Sequence, residues 1–166
     1  MNAENLSDLL KHEVKDLYSA ETQILDALPK MIEKSTDQAL TSALKEHFEE
    51  TRGQKERLEK IGKMLGVDPT GHKCKGMAGI IKEGEDTVEE HTSDEDVRNA
   101  AIVGASQRVE HYEMAGYGTA RTYARMLGND DVAELLEQTL DQEKSADSKL
   151  SRIAEDHVNK QAKAKA

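Results

Sequence analysis

Val-Lys-Asp-Leu-Tyr-Ser-Ala-Glu-Thr-Gln-Ile-Leu-Asp-Ala-Leu, residues 14–28, predicts an amphipathic helix with an acid in its apolar face. The apolar residues recur every three or four positions, which is the spacing of one side of an α-helix. Glu21 lies in the middle of that stripe. Because an unpaired ionised carboxylate is costly to bury, a chain that places one there needs a cation, a hydrogen-bond network or a shifted pKa.

Three further helical patterns carry polar residues at mid-length in the same way. Each has an apolar stripe of helical spacing, with two polar residues three or four positions apart on it. Any one of them could lie at a solvated helix edge, because the chain has 33 Asp and Glu residues and acids are seldom fully buried. The pairs are Glu50 and Gln54, Glu110 and Glu113, and Glu143 and Asp147.

The recurrence on four helices favours a metal site. In an antiparallel bundle the middles of all four helices meet at one level. Several acids that converge there cannot all stay ionised without divalent metal ions or shared protons. We therefore expect the core of the bundle to bind about two divalent ions.

Composition limits the fold and the partners. The 166 residues suit one domain, and with 3% aromatic residues and no Trp the core must be built from aliphatic side chains on helices, so an all-α fold is expected. A net charge of −10 argues against nucleic acid as a partner and suits cation uptake. Residues 1–158 form the predicted bundle, and the basic residues 159–166 are predicted to be a flexible tail.

The chain has one cysteine, Cys74, so a reducing compartment is favoured. His72 precedes it by two residues, but a His-x-Cys pair alone is a weak zinc signal, and both are interpreted as loop residues. The N-terminus has no leader-like apolar core, and no run approaches membrane length. We expect a cytoplasmic protein that does not contact a membrane.

The chain is organised as hairpin, long crossover and hairpin. Helix one is predicted from Asn5 or Ser7 to about Lys34, and helix two follows the capping residues 35–37 and ends at Leu65. A short helix at about 74–91 forms the crossover, helix three begins after 93–94, and the turn 128–130 leads into helix four. Glu50 follows Glu21 by 29 residues and Glu143 follows Glu113 by 30, which indicates an internal duplication with Glu50 and Glu143 in equivalent, bridging places.

Four segments, 17–23, 47–54, 109–119 and 143–150, resemble the ferritin-like di-metal carboxylate proteins, and more narrowly the YciE/YciF stress-protein family (DUF892) over nearly the whole chain. The resemblance implies a four-helix bundle with an added short helix, a homodimer, expression under stress, and iron as the leading metal. The usual Glu-x-x-His pattern is missing, because Gly53 and Ala146 stand where the histidines would be. Gln54 and Asp147 could substitute for them.

The expected site is oxygen-rich, which suits hard cations such as iron, manganese, magnesium or calcium. His47 either joins the ligands or packs beside them, and His111 should point away. Tyr18 and Tyr117 share the stripes of Glu21 and Glu113; each is either core filler or a hydroxyl that acts beside the metal. The predicted ligands are Glu21, Glu50, Gln54, Glu110, Glu113, Glu143, Asp147 and His47.

Three functions remain open from the sequence. A di-metal oxidoreductase would handle O₂ or peroxide between the carboxylates, and an iron-storage protein would use the same centre to oxidise ferrous iron. Storage is the weaker prediction because it requires a closed cage. A helical scaffold without turnover would keep its inward acids protonated or bridged by water.

Overall fold

A computed structural model describes residues 3–90 and 93–164, and every regular element in these ranges is helical. This confirms the all-α prediction. None of the described helices is both long enough and apolar enough to cross a membrane. The helices are α1 Leu6–Lys34, α2 Gln38–Leu65, α3 Lys75–Glu90, α4 Glu95–Met126 and α5 Asp130–Ile153, followed by a π-helical turn Ala154–Val158 and α6 Asn159–Lys163.

The four long helices form the predicted bundle. Helices α1 and α2 pack as one hairpin and α4 and α5 as the other, while α1 also packs on α4 and α2 on α5. Helix α3 lies against α4 and α1, so the crossover covers one corner of the bundle. Because neighbouring long helices run antiparallel, their middles share one level.

Capping side chains fix where helices α1 and α2 begin. The Asn5 carboxamide accepts a hydrogen bond from the backbone N–H of Asp8 at 3.0 Å, and the Asp37 carboxylate accepts one from Leu40 at 2.8 Å. Such caps satisfy donors that have no partner inside the helix. Gly66 ends α2 with a φ of 64°, a left-handed conformation that glycine adopts without strain.

The apolar core is divided into two clusters. One contains Ile24 and Leu28 of α1 with residues 40–44, 102–103 and 150–158. The other contains residues 10–17 of α1 with buried positions on the distal halves of the other long helices. In each of the four long helices the buried polar residues at mid-length lie between the two clusters. An acid layer therefore crosses the centre of the bundle.

A polar network attaches the start of α3 to the bundle. The Asp16 carboxylate of α1 accepts hydrogen bonds from the Cys74 thiol at 2.9 Å and from the Tyr112 hydroxyl at 2.8 Å, and the His72 ring lies 2.9 Å from its other oxygen. His72 and Cys74 precede α3, as predicted for loop residues. The sequence analysis did not predict that Cys74 would be buried or that Asp16 would be its partner.

The chain end differs from its prediction. Residues 159–163 form helix α6 where the basic composition predicted a frayed tail. The reason is the preceding turn: Ala154 and Val158 are buried in the first apolar cluster, and the His157 ring lies 2.7 Å from the Asp37 carboxylate. The last predicted residue of the crossover helix, His91, and tail residues 165–166 lie outside the described part of the chain.

Replacing glycine by alanine should have opposite effects on stability at two positions of α2. A methyl group on Gly62 would lie 2.8 Å from the backbone oxygen of Val67 and 3.1 Å from a ring carbon of Pro69, so Gly62→Ala should destabilise the protein by about 1–3 kcal/mol. Gly53 has no atom within 4 Å of the same methyl position, so Gly53→Ala should stabilise by about 0.5–1 kcal/mol. Thermal unfolding checks both, and melting temperatures that move in the same direction would contradict this packing.

Candidate metal centre

Four buried side chains bring possible metal ligands together at the middle of the bundle. They are His47 of α2, Glu110 and Glu113 of α4, and Glu143 of α5. One ligand atom from each can be chosen so that all four atoms lie within 4.8 Å of one another. Three of the four long helices therefore contribute to one compact group of oxygen and nitrogen donors.

Glu21 of α1 extends this group to the fourth long helix. Its side chain is fully buried, and the Tyr117 hydroxyl of α4 donates a hydrogen bond to its Oε1. The contact leaves the second oxygen, Oε2, without a hydrogen-bond partner in the described residues. Tyr117 thus fixes the orientation of the carboxylate through one oxygen and leaves the other available.

Gln54 holds Glu143 from the other side of the layer. Its side-chain amide donates a hydrogen bond to Oε1 of Glu143. One turn along α2, Arg57 donates to the Thr139 hydroxyl at 2.6 Å and to the Gln142 amide oxygen at 3.1 Å. Burial raises the pKa of Glu21, and the positive charge of Arg57 offsets a small part of that increase. Arg57 was not predicted from the sequence, although its position three residues after Gln54, on the same side of α2, indicates that it can reach the layer.

The buried polar atoms of this layer are incompletely satisfied. Native proteins pair nearly all buried polar atoms, so a cluster of unpaired acceptors requires an explanation. Carboxylate oxygens with one histidine nitrogen form a donor set that suits iron or manganese, so the residues fit a metal centre. Within the described residues, the atoms without a hydrogen-bond partner here are Glu21 Oε2, Gln54 Oε1, Glu110 Oε2, Glu143 Oε2, both oxygens of Glu113 and both ring nitrogens of His47.

Burial shifts the proton equilibria of the acids. It raises the pKa of Glu21, Glu110 and Glu113 well above the ordinary range, because each charged form would lose its hydration. The negative charge of Glu143 adds to the increase for all three. Without bound cations, protons neutralise much of the layer.

Two predicted ligands lie at the edge of the centre. The side chain of Glu50 is 32% exposed, and its Oε2 lies 3.8 Å from Nδ1 of His47. Asp147 accepts a hydrogen bond from Gln107 at 3.0 Å and lies 3.2 Å from the exposed ring of His111. The prediction that Glu50 and Glu143 occupy equivalent places is therefore wrong, because on α2 His47, and not Glu50, faces the centre.

Tyr18 does not face the centre. Its hydroxyl donates a hydrogen bond to the Glu59 carboxylate at 3.1 Å, and the Lys55 ammonium lies over its ring. The inward orientation predicted for Tyr18 is wrong, because the residue lies at the outer edge of the α1 stripe. Tyr117, which is fully buried beside Glu21, is the tyrosine that contacts the acid layer.

The described helices form a bundle of four long helices with an added crossover helix, and a buried acid layer crosses its centre. The chain belongs to the family described as "Domain of unknown function (DUF892)", which matches residues 5–163. The resemblance noted in the sequence is thereby confirmed.

Individual relatives cover nearly the whole chain. Protein YciF of Escherichia coli (strain K12) is 40% identical over 167 residues, which is 100% of both chains. The crystal structure of this E. coli stress protein matches with a TM-score of 0.90 over 95% of this chain and 99% of that one. YcfI of Rhodopseudomonas palustris, for which a structural role is suggested in its description, is 46% identical with a TM-score of 0.86 over 89% and 94% of the two chains.

The raised pKa of Glu113 predicts how stability depends on pH. Its folded-state pKa lies above the unfolded value, so its favourable contribution is complete below about pH 4 and is lost as the pH rises through the folded-state pKa. In chelator, Glu113→Gln, which stays neutral, should become more stable relative to the wild type between about pH 5 and about pH 8. The difference should grow by at most about 1.4 kcal/mol per pH unit.

Melting temperatures across this pH range, measured in chelator, check the prediction. Glu49→Gln is the matched control, because the Glu49 side chain is 65% exposed and pairs only locally with Arg52. Its melting curve should stay parallel to that of the wild type. If the melting temperatures of Glu113→Gln also changed with pH in parallel with those of the wild type, Glu113 would be ionised in the metal-free protein.

Proposed function

We propose that this chain is a ferritin-like carboxylate metalloprotein of the stress response that binds two divalent ions, with iron as the preferred metal, in the centre of its bundle. The observation that carries the proposal is the convergence of Glu21, Glu110, Glu113, Glu143 and His47, with unpaired donor atoms on all five, between two apolar clusters. The stress role is carried over from the description of the E. coli relative.

The proposed ligands would contact the ions from different sides of the centre. Glu113 and Glu143 are the fully buried carboxylates of the compact group and would hold the ions at its centre. Glu110 and His47, whose ring nitrogen lies 3.3 Å from the Glu110 carboxylate, form one side, and Glu21 forms the other. When bound, iron or manganese supplies Lewis acidity and one-electron redox chemistry.

The surrounding residues position these ligands and hold protons. The Tyr117 hydroxyl keeps its proton, because burial and the neighbouring acids raise its pKa well above the usual value, and it holds Oε1 of Glu21. The Gln54 amide holds Glu143 in the same way. Glu50, which is 32% exposed and 3.8 Å from His47, would receive an arriving ion before it reaches the core, and Asp147 stays at the edge of the layer with Gln107 and His111. Apolar side chains above and below exclude bulk water.

Turnover on O₂ or peroxide is the enzymatic form of this proposal, and an iron store is the weaker alternative because storage requires a closed cage. A second candidate is a helical scaffold whose acid layer carries protons in place of metal. The hydrogen bonds from Tyr117 and Gln54 to the layer, and the structural role suggested for YcfI, favour this candidate. Metal analysis separates the two.

Compartment and assembly belong to the same proposal. The free, buried Cys74 supports a reducing compartment such as the cytoplasm. A homodimer is carried over from the family resemblance noted in the sequence. One chain contributes every residue of the ligand set described here. Neither a second chain nor a small oxidant is therefore needed to complete that set.

The metal prediction is an ion content. Protein loaded separately with ferrous iron, manganese or zinc and then desalted should retain about two ions per chain for at least one metal. Glu113→Gln combined with Glu143→Gln preserves the shape of both side chains and removes both charges, so retention should fall below one ion per chain while the helical circular dichroism persists. Elemental analysis measures both.

The exposed pair Glu49→Gln and Glu134→Gln removes the same charge without touching the layer and should retain the wild-type ion content. Glu137 is unsuitable as a control, because it accepts hydrogen bonds from Arg121 at 2.7 and 2.9 Å and from Arg125 at 2.8 Å. Fewer than one ion per wild-type chain under all three metals would favour the scaffold. Equal ion content in the buried and exposed double variants would place any binding elsewhere.

A further inference from the structure

Two cavities reach the candidate centre from different sides of the bundle, and both include His47 and Glu110 in their linings. The larger, about 50 Å³, lies where α3 covers α1 and α4 and is lined mainly by aliphatic side chains such as Ile24, Ile80 and Val109. We name it the α3 cavity. Its inner end is marked by the buried His47 and Glu110, and its outer end by Glu85, whose side chain is 23% exposed.

The smaller cavity, about 30 Å³, lies between α2 and α5 and has a different chemistry. Glu46, Glu50 and Lys149 line it, with the Lys149 ammonium 2.5 Å from the Glu46 carboxylate. Carboxylates exceed cations in this lining, which favours the approach of a divalent ion. We name it the α2/α5 cavity.

We propose that access to the centre is divided: small uncharged apolar molecules of the dioxygen class enter the α3 cavity, and divalent cations enter through the α2/α5 cavity. The inference rests on the proposed function for the use made of the gas. The aliphatic part of the lining offers water no hydrogen-bond partners, and apolar cavities take up xenon, which is comparable in character to dioxygen.

The lining distinguishes dioxygen from peroxide. Hydrogen peroxide carries two O–H donors, and each would lose a hydrogen bond to water on entering an aliphatic cavity, at roughly 1–3 kcal/mol per group. Dioxygen has no O–H donors, so it loses almost no hydrogen bonding to water when it enters the cavity. The volume also admits a molecule of only a few atoms, and the ion pair between Lys30 and Glu85, 2.9 Å apart, lies at the outer end.

The crossover helix has a packing feature that keeps this cavity against the bundle. Gly84 of α3 faces Ala105 of α4, and a methyl group on Gly84 would lie 3.0 Å from the Ala105 side chain. Both residues line the cavity. A small residue at each position lets α3 approach α4 closely, so the cavity stays narrow along this side.

The test uses metal-free and metal-loaded full-length protein with methyl-labelled side chains. Dissolved O₂ is paramagnetic, so under O₂ pressure the methyl relaxation of Ile24, Ile80 and Val109 should increase several-fold more than that of Val132, a buried methyl in the other apolar cluster. Xenon should shift the same three residues. Added Mn²⁺ should broaden residues beside Glu110 in the wild type.

Two matched variants separate the routes. Ala27→Leu adds three carbons to the α3 cavity and should abolish the O₂ and xenon effects while Mn²⁺ uptake is unchanged. Ala146→Leu adds the same volume to the α2/α5 cavity and should slow Mn²⁺ uptake several-fold while the gas effects remain. If either variant fails to fold, the comparison of Ile24 with Val132 in the wild type still decides the gas site, because these side chains are 2% and 3% exposed and are equally shielded from O₂ in the solvent.

The outcomes are distinguishable from those of the metal proposal. Absence of O₂ and xenon effects at all three methyls overturns the α3 cavity as a gas site, whatever the metal result. Gas effects without Mn²⁺ broadening leave the gas site standing and overturn the α2/α5 cavity as a Mn²⁺ route, while the metal centre is overturned only when iron and zinc are not retained either. Equal Mn²⁺ uptake rates in the wild type and Ala146→Leu overturn the separate cation route.

Discussion

The burial of carboxylates at one level of the bundle is the constraint on which the rest of the structure depends. Glu21, Glu110, Glu113 and Glu143 come from three helices, and each is at most 2% exposed. Their mutual repulsion and lost hydration oppose ionisation, so the layer must carry protons or cations. Aliphatic residues at these positions would avoid the cost of burying acids, so the acid layer points to function rather than to stability.

The two apolar clusters follow from that constraint. They close the layer from both ends and leave lateral openings where helices meet, one aliphatic beneath α3 and one acidic between α2 and α5. The layer is also asymmetric: Tyr117 contacts Glu21, and Gln54 contacts Glu143. A bundle built from two similar hairpins thus has a centre with different surroundings on each side.

Helical periodicity predicted the bundle, its helix order and the buried positions of Glu21, Gln54, Glu110, Glu113 and Glu143. It predicted less accurately which residues face inward at the edges of the apolar stripes. With 3.6 residues per turn, Glu50 lies about 60° around α2 from His47, and Tyr18 lies about 60° around α1 from Glu21, so helix packing decides whether each faces inward. Arg57 and the Asp16–Cys74–Tyr112 network depend on contacts between segments distant in sequence, which periodicity within one helix does not contain.

Anomalous X-ray diffraction from Mn²⁺-loaded crystals, recorded on both sides of the manganese absorption edge, locates bound ions without reference to activity. A carboxylate metal centre predicts manganese peaks within coordination distance of Glu110, Glu113, Glu143 and His47, enclosed by the two apolar clusters. Crystals of the combined Glu113→Gln and Glu143→Gln variant should lose those peaks. Manganese found only at exposed acids, with the buried carboxylates in place and no anomalous signal between them, would contradict the metal centre.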